Sequence, residues 1–111
     1  MNNNILSVEK KVIIIFGGCG ILGTEWTKHL LSQNSSICVA DLNLGKFKNN
    51  FKDVIKKYEK KLIFIKINVT NKKSIEKCFN TVLNKFKKID VVINASAMNA
   101  PFDKKSNRSQ F

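Results

Sequence analysis

The stretch Val12-Ile13-Ile14-Ile15-Phe16-Gly17-Gly18-Cys19-Gly20-Ile21-Leu22-Gly23 passes from an apolar run into a glycine cluster and then into a helical pattern. The run from Lys11 to Phe16 is short and continuous, as expected of a parallel strand buried on both faces. Gly18, Gly20 and Gly23 satisfy G-x-G-x-x-G. In that pattern one glycine permits a tight turn, one lets the backbone approach a pyrophosphate, and one lets helix and strand pack closely. With Gly17 included, the spacing also reads G-x-x-G-x-x-G. Each role requires the absence of a Cβ, and the strand-turn-helix setting implies a loop that holds a dinucleotide phosphate at the positive end of the helix that follows.

Outward from this loop the chain alternates strand and helix. The segment Ile21 to Ser32 sets Leu22, Trp26, Leu30 and Leu31 on one helical stripe, and Ser35-Ser36 breaks it. Ile37 to Asp41 reads as a second strand ending in a carboxylate. A second helix is expected over Leu44, Phe47, Phe51, Val54, Ile55 and Tyr58, which recur at three and four residues. Leu62 to Asn68 reads as the third strand. The third helix has the cleanest periodicity, through Ile75, Cys78, Phe79, Val82, Leu83 and Phe86, with Thr70 or Asn71 as N-cap. Asp90 to Asn94 reads as a fourth strand of buried character.

This pattern predicts an α/β fold of Rossmann type: a parallel sheet in order 3-2-1-4, joined by right-handed crossovers through three to four helices and stopping after the fourth strand. The 111 residues make one partial dinucleotide-binding domain, with flexible ends expected over 1–9 and 103–111. An edge strand without a later helix over it is expected to expose Val91, Val92 or Ile93 and to leave the chain marginally stable or self-associating as a homo-oligomer.

Composition excludes several classes. No apolar run reaches the roughly 18 to 20 residues of a membrane span, and Met1-Asn-Asn-Asn-Ile-Leu-Ser lacks the features of a secretory signal, so the cytoplasm is the expected location. Cys19, Cys38 and Cys78 have no C-x-x-C or histidine spacing, which argues for reduced, partly buried thiols and against a metal site. Cys19 alone lies where a helix N-terminus could activate a thiol, but the reading as an unreactive, partly buried thiol is preferred. The net charge of +12 invites a nucleic-acid partner, but the basic residues are lysines on polar helix faces apart from Arg108. Base readout favours arginine, so nucleic-acid binding is not expected.

In open α/β sheets, ligands bind beyond the carboxyl ends of the strands where strand order reverses, here between the first and fourth strands. That places Gly17, Gly18, Cys19, Gly20, Ile21, Leu22 and Gly23 beside Asn94, Ala95 and Ser96, with Asp41, Leu42, Asn68 and Val69 along the same edge. Asp41 lies 18 positions after Gly23, close to the roughly 20 expected of an acid that binds adenosine ribose hydroxyls. A carboxylate there repels a 2′-phosphate, which favours NAD over NADP, while Lys46 and Lys48 leave NADP open. Asn68 reads either as an adenine contact, with Val69 on the ring, or as a turn residue. Asn94 reads as a register or ribose residue. Ala95 and Ser96 are small enough to admit a cofactor.

Phe16-Gly-Gly-Cys-Gly-Ile-Leu-Gly23, Val39-Ala-Asp-Leu42, Ile67-Asn-Val-Thr70 and Ile89-Asp-Val-Val-Ile-Asn-Ala-Ser-Ala97 resemble, in order and separation, the first four cofactor segments of the short-chain dehydrogenase/reductase family. The resemblance covers roughly residues 10 to 100. The glycine spacing is similar to that of members that modify sugar nucleotides, surface polysaccharides or flagellin. Phe16, Asn68 and Asn94-Ala-Ser-Ala97 depart from the family's usual Thr, Asp and Asn-Asn-Ala-Gly. The resemblance implies a nicotinamide dinucleotide and, in an intact protein, hydride exchange with a small carbonyl or alcohol. It also implies a catalytic Tyr-x-x-x-Lys. The single tyrosine, Tyr58, is followed four residues on by Leu62, so no catalytic residue is assigned within these 111 residues. The alternative is a non-catalytic nucleotide-sensing or interaction module. A methyltransferase-type Rossmann loop fits less well, because an acid normally precedes its first glycine and Phe16 stands there.

Overall fold

The computed structural model describes residues 7–95 of the chain. The expectations placed on Ser96, on Met1 to Leu6 and on the tail from Asp103 fall outside the described residues. The elements are β1 (Val12–Phe16), α1 (Ile21–Ser32), β2 (Ser36–Asp41), α2 (Leu44–Asn50), β3 (Leu62–Lys66), α3 (Lys72–Phe86) and β4 (Val91–Asn94). All strand pairs are parallel and the order is β3-β2-β1-β4.

Side chains on a strand point alternately to opposite faces, and the two central strands use both. Ile13, Ile15, Ile37 and Val39 meet Leu31, Phe47 and Phe51 in one core layer. Val12, Ile14, Phe16, Cys38 and Ala40 meet Cys78 and Val82 in the other. Helices α1 and α2 therefore cover one face and α3 the other. Full burial of each aliphatic side chain contributes about 1.5–3 kcal/mol, and β1 is buried along its whole length.

Three sequence expectations are corrected. The buried face of α1 is Gly23, Thr24, Thr27 and Leu31, whereas Leu22 and Trp26 are exposed. The small residues bring the helix close to the sheet, and that approach overrides the apolar stripe. Helix α2 ends at Asn50, and residues 51–61 form hydrogen-bonded turns. Phe51, Val54, Ile55 and Tyr58 still reach the core as the periodicity predicts. The helix ends at Asn50, whose side-chain amide is turned to the carbonyl of Cys19, and Phe51 beyond it leaves the helical conformation. The third correction is that β3 stops at Lys66, before Asn68.

Helix α3 begins as expected, with Asn71 Oδ1 accepting from the Ser74 amide at 3.1 Å. Among the described residues strand β4 forms one edge of the sheet and β3 the other, and on β4 Val91 is 38% and Val92 47% exposed. Its register is set by Asp90, whose backbone N–H donates to Val12 O and whose Oδ2 accepts from the Val12 N–H, each at 2.8 Å. Lys88 Nζ lies 3.0 Å from the same carboxylate.

The hydrogen bond from Val12, then that from Lys88, holds the Asp90 carboxyl below its ordinary range. A depressed carboxylate pKa stabilises the fold above the unfolded value of about 3.9, and the contribution is lost as pH falls through the folded value. Asp90→Ala should therefore lower the melting temperature at neutral pH, and the gap to wild type should close on acidification towards about pH 2. Melts of both proteins across that range test it; a gap independent of pH would exclude the ionised form of Asp90 as the source.

Candidate functional site

The register aligns the carboxyl ends of the strands. Phe16 pairs with both Ala40 and Asn94, and Asp41 pairs with Lys66. The loop after β1 turns at Gly17, whose φ of 74° is one that a side chain rarely adopts. Its N–H extends the ladder to Ala40 O at 2.8 Å. The turn is thus made by Gly17, ahead of the G-x-G-x-x-G frame. A Cβ on Gly18 would stand 2.9 Å from Val39 Cγ1. A Cβ on Gly23 would stand 2.7 Å from Gly18 Cα and 2.8 Å from Gly17 O. Gly23 therefore supplies close packing of the helix on the loop, where the sequence pattern predicts close packing of helix on strand.

Gly20 is the N-cap of α1 and has no side chain to satisfy the first amides of the helix. Such amides, with the helix dipole, favour an anion. No acidic residue stands in the first turn to oppose one. Ile21 and Leu22 follow at the rim, 83% and 40% exposed.

Asp41 caps the other side of the loop. Its Oδ2 accepts from the Cys19 N–H at 3.1 Å and its Oδ1 from the Asn43 N–H at 3.3 Å. Each carboxylate oxygen retains further acceptor capacity for a ligand hydroxyl. Beside it opens a cleft of about 90 Å³ lined by Gly17, Ala40, Asp41, Leu42, Ile67 and Val69. Leu42 and Val69 stand 58% and 47% exposed, giving the cleft apolar walls open to solvent. A larger, open hollow of about 450 Å³ is lined by the single segment Lys56 to Lys61. That segment joins the amino end of β3, away from the converging loops.

The structure thus brings together the loop from Gly17 to Gly23 with Asp41, Leu42 and Val69. Asn68 is turned elsewhere: its Oδ1 accepts from the N–H and the hydroxyl of Thr70, at 2.9 and 2.6 Å. Both lone pairs of that oxygen are in use, which is the turn role and leaves no acceptor for an adenine amino group. Asn94 pairs with Phe16 in the sheet. Ala95 is fully buried and its N–H donates to Phe16 O at 2.8 Å. Sequence reasoning missed Ala40 and Ile67 as cleft residues, although both stand at strand ends where small or apolar side chains signal a ligand floor. It also missed Asn50, for which the sequence holds no signal.

All three cysteines are free and fully buried, more so than expected. Burial, then the negative charge of Asp41, pushes the Cys19 thiol up to about 12. The helix terminus does not activate it. A hydrogen bond with Cys78, then burial, also raises the Cys38 thiol. Among the described residues no group of three histidine, cysteine or acidic side chains is placed to hold a metal. No helix there is long and apolar enough to cross a membrane.

The short chain dehydrogenase family pattern matches residues 11–111. The chain is 26% identical over 89 residues to the post-translational flagellin modification protein A of Campylobacter coli, covering 80% of this chain and 35% of that protein. It is 27% identical over 89 residues to the 3-hydroxyacyl-CoA dehydrogenase type-2 of Drosophila melanogaster, covering 80% and 33%. The chain thus spans about a third of the length of these relatives. The crystal structure of a short chain dehydrogenase/reductase from Burkholderia phymatum in complex with NAD superposes with a TM-score of 0.71 at 18% identity, covering 79% of this chain and 31% of that one.

Two measurements check the loop geometry. Alanine at position 23 gains about 1 kcal/mol in helix propensity, but the crowded atoms are backbone, and forcing such contacts apart costs about 1–3 kcal/mol. Gly23→Ala should accordingly unfold at lower denaturant than wild type; equal or greater stability would contradict the close approach. The native chain should leave a thiol reagent unreacted at neutral pH, and all three thiols should react after denaturation. Rapid labelling of Cys19 in the folded chain would contradict its burial and raised pKa.

Proposed function

The chain belongs to the short chain dehydrogenase family, and we propose that it is the NAD-binding part of an oxidoreductase acting on a small carbonyl or alcohol. The observation that carries this reading is the convergence of the anion-accepting start of α1, the Asp41 carboxylate and an apolar cleft on one sheet edge.

The residues present suit the dinucleotide part by part. The amides at the start of α1 are the pyrophosphate contacts, and the absence of side chains at Gly17, Gly18 and Gly20 lets the pyrophosphate come close to the loop. Asp41 is the acceptor for the adenosine ribose hydroxyls, and its negative charge sets NAD above NADP. The adenine lies between Leu42 and Val69, over Gly17, Ala40 and Ile67. Asn94 ends β4 and Ala95 follows it next to the loop, on the path towards the nicotinamide. When bound, the nicotinamide ring takes or gives the hydride.

The part of the chemistry that needs an acid/base is not assigned within this chain. Tyr58 packs against the core under Lys57, whose Nζ is 5.3 Å from the ring centre. Its carbonyl accepts from the Leu62 N–H at the amino end of β3, the opposite edge of the sheet from the cleft. The same reading places the protein in the cytoplasm, which agrees with free thiols at all three cysteines.

Titration with NAD and NADP tests the proposal. Wild type should bind NAD more tightly than NADP. Gly20→Val, which puts a branched side chain where the pyrophosphate approaches, should weaken both by more than about tenfold, a loss of about 1.4 kcal/mol or more. Asp41→Ala should weaken NAD and narrow its advantage over NADP. Unchanged affinity in both variants would sink the site assignment.

A further inference from the structure

We propose that Asn50 is a positioning residue for the dinucleotide loop: it holds the Cys19 carbonyl away from the phosphate position. This inference rests on the nucleotide-binding reading above. Asn50 is the last residue of α2, and its Nδ2 donates to Cys19 O at 2.9 Å across 31 residues of sequence. A carbonyl oxygen can only accept, so the nitrogen end of the amide must face it.

The peptide units on both sides of Cys19 are thereby held by side chains from the β2–α2 unit. On the amino side, the Cys19 N–H donates to Asp41 Oδ2 at 3.1 Å. On the carboxyl side, the Cys19 carbonyl is taken by Asn50. The trans peptide is planar, so fixing a carbonyl fixes the direction of the following N–H. The following residue is Gly20, which has no side chain to resist a flip of that peptide. Gly20 N–H is held only at 3.3 Å, by Gly17 O.

A flipped 19–20 peptide would turn the Cys19 oxygen, with its partial negative charge, to where the Gly20 N–H now points, beside Gly17 O on the loop against which the anion is to sit. Asn50 opposes that flip from outside the phosphate site. Its loss should therefore be felt by ligands that carry a pyrophosphate and not by those that lack one. Simple damage to the fold would weaken both.

The experiment compares the full chain with Asn50→Asp, which keeps the shape and removes the donor, and with Asn50→Ser, a small change at a helix end. Binding of ADP and of adenosine is measured for each by calorimetry or ligand-observed NMR. The expected result is a loss of about five- to tenfold in ADP affinity, the size of one hydrogen bond, with adenosine affinity unchanged. The Gly20 amide resonance should also shift in both variants without ligand. ADP affinity equal to wild type in both variants would overturn the positioning role, as would parallel losses for ADP and adenosine. Wild type that binds neither ligand would instead overturn the nucleotide-binding reading, and the role of Asn50 with it.

Discussion

The contact between Gly23 and the backbone of Gly17 and Gly18 governs the arrangement of the rest of the site. A Cβ at Gly23 would fall 2.7 Å from Gly18 Cα, so α1 lies as near the loop as a helix can. That distance decides which face of α1 turns inward. Thr27 Oγ1 donates to Gly23 O at 2.7 Å and Thr24 Oγ1 to Gly18 O at 3.4 Å, so the two inward threonines satisfy their hydroxyls locally. Bulky residues at these positions would lift the helix off, and Leu22 and Trp26 are displaced outward as a result.

The sheet supplies the rigid frame on which that contact acts. Strands β1 and β2 are clamped between two apolar layers, and their carboxyl ends are aligned by register to within a residue. Loops that leave from such ends inherit their position from the sheet. Asp41 needs no loop of its own to reach Cys19, because it terminates β2 beside the glycine turn. Strand β4 is different in kind: it is held by β1 and pinned by Asp90, yet it leaves two valines exposed. An exposed strand edge is a template for another strand. The apolar sequence of β4 therefore describes a strand whose chemistry calls for a neighbour.

Much of this was legible because the signals were local or periodic. The both-face burial of β1, the N-cap at Asn71, the stripe of α3 apart from the exposed Leu83, and the carboxylate closing β2 are all set by residues within one element. What escaped reading depended on distant partners. The inward face of α1 follows from a glycine contact across a turn, not from the distribution of its apolar residues. The partner of Asn50, the residue that ends α2, is a carbonyl 31 positions away. The turn at Asn68 was one of two open readings, and only the position of Thr70 separates them. Cys19 follows the buried-thiol reading preferred from the sequence: burial and the charge of Asp41 outweigh the helix.

Asp41 carries more than one task, and this constrains how the site can change. Its Oδ2 anchors the Cys19 amide and its Oδ1 the amide of Asn43, which in turn caps α2 by accepting from the Lys46 N–H at 2.8 Å. Helix α2 then presents Asn50 to the other side of Cys19. The acid proposed to select NAD is thus the first link of a chain that holds the phosphate loop in shape. Replacing it to admit a 2′-phosphate removes an electrostatic barrier and, in the same step, frees one of the two tethers on Cys19. A change of cofactor at this site therefore requires another acceptor for the Cys19 N–H to restrain the loop, because selectivity and loop geometry depend on the same carboxylate.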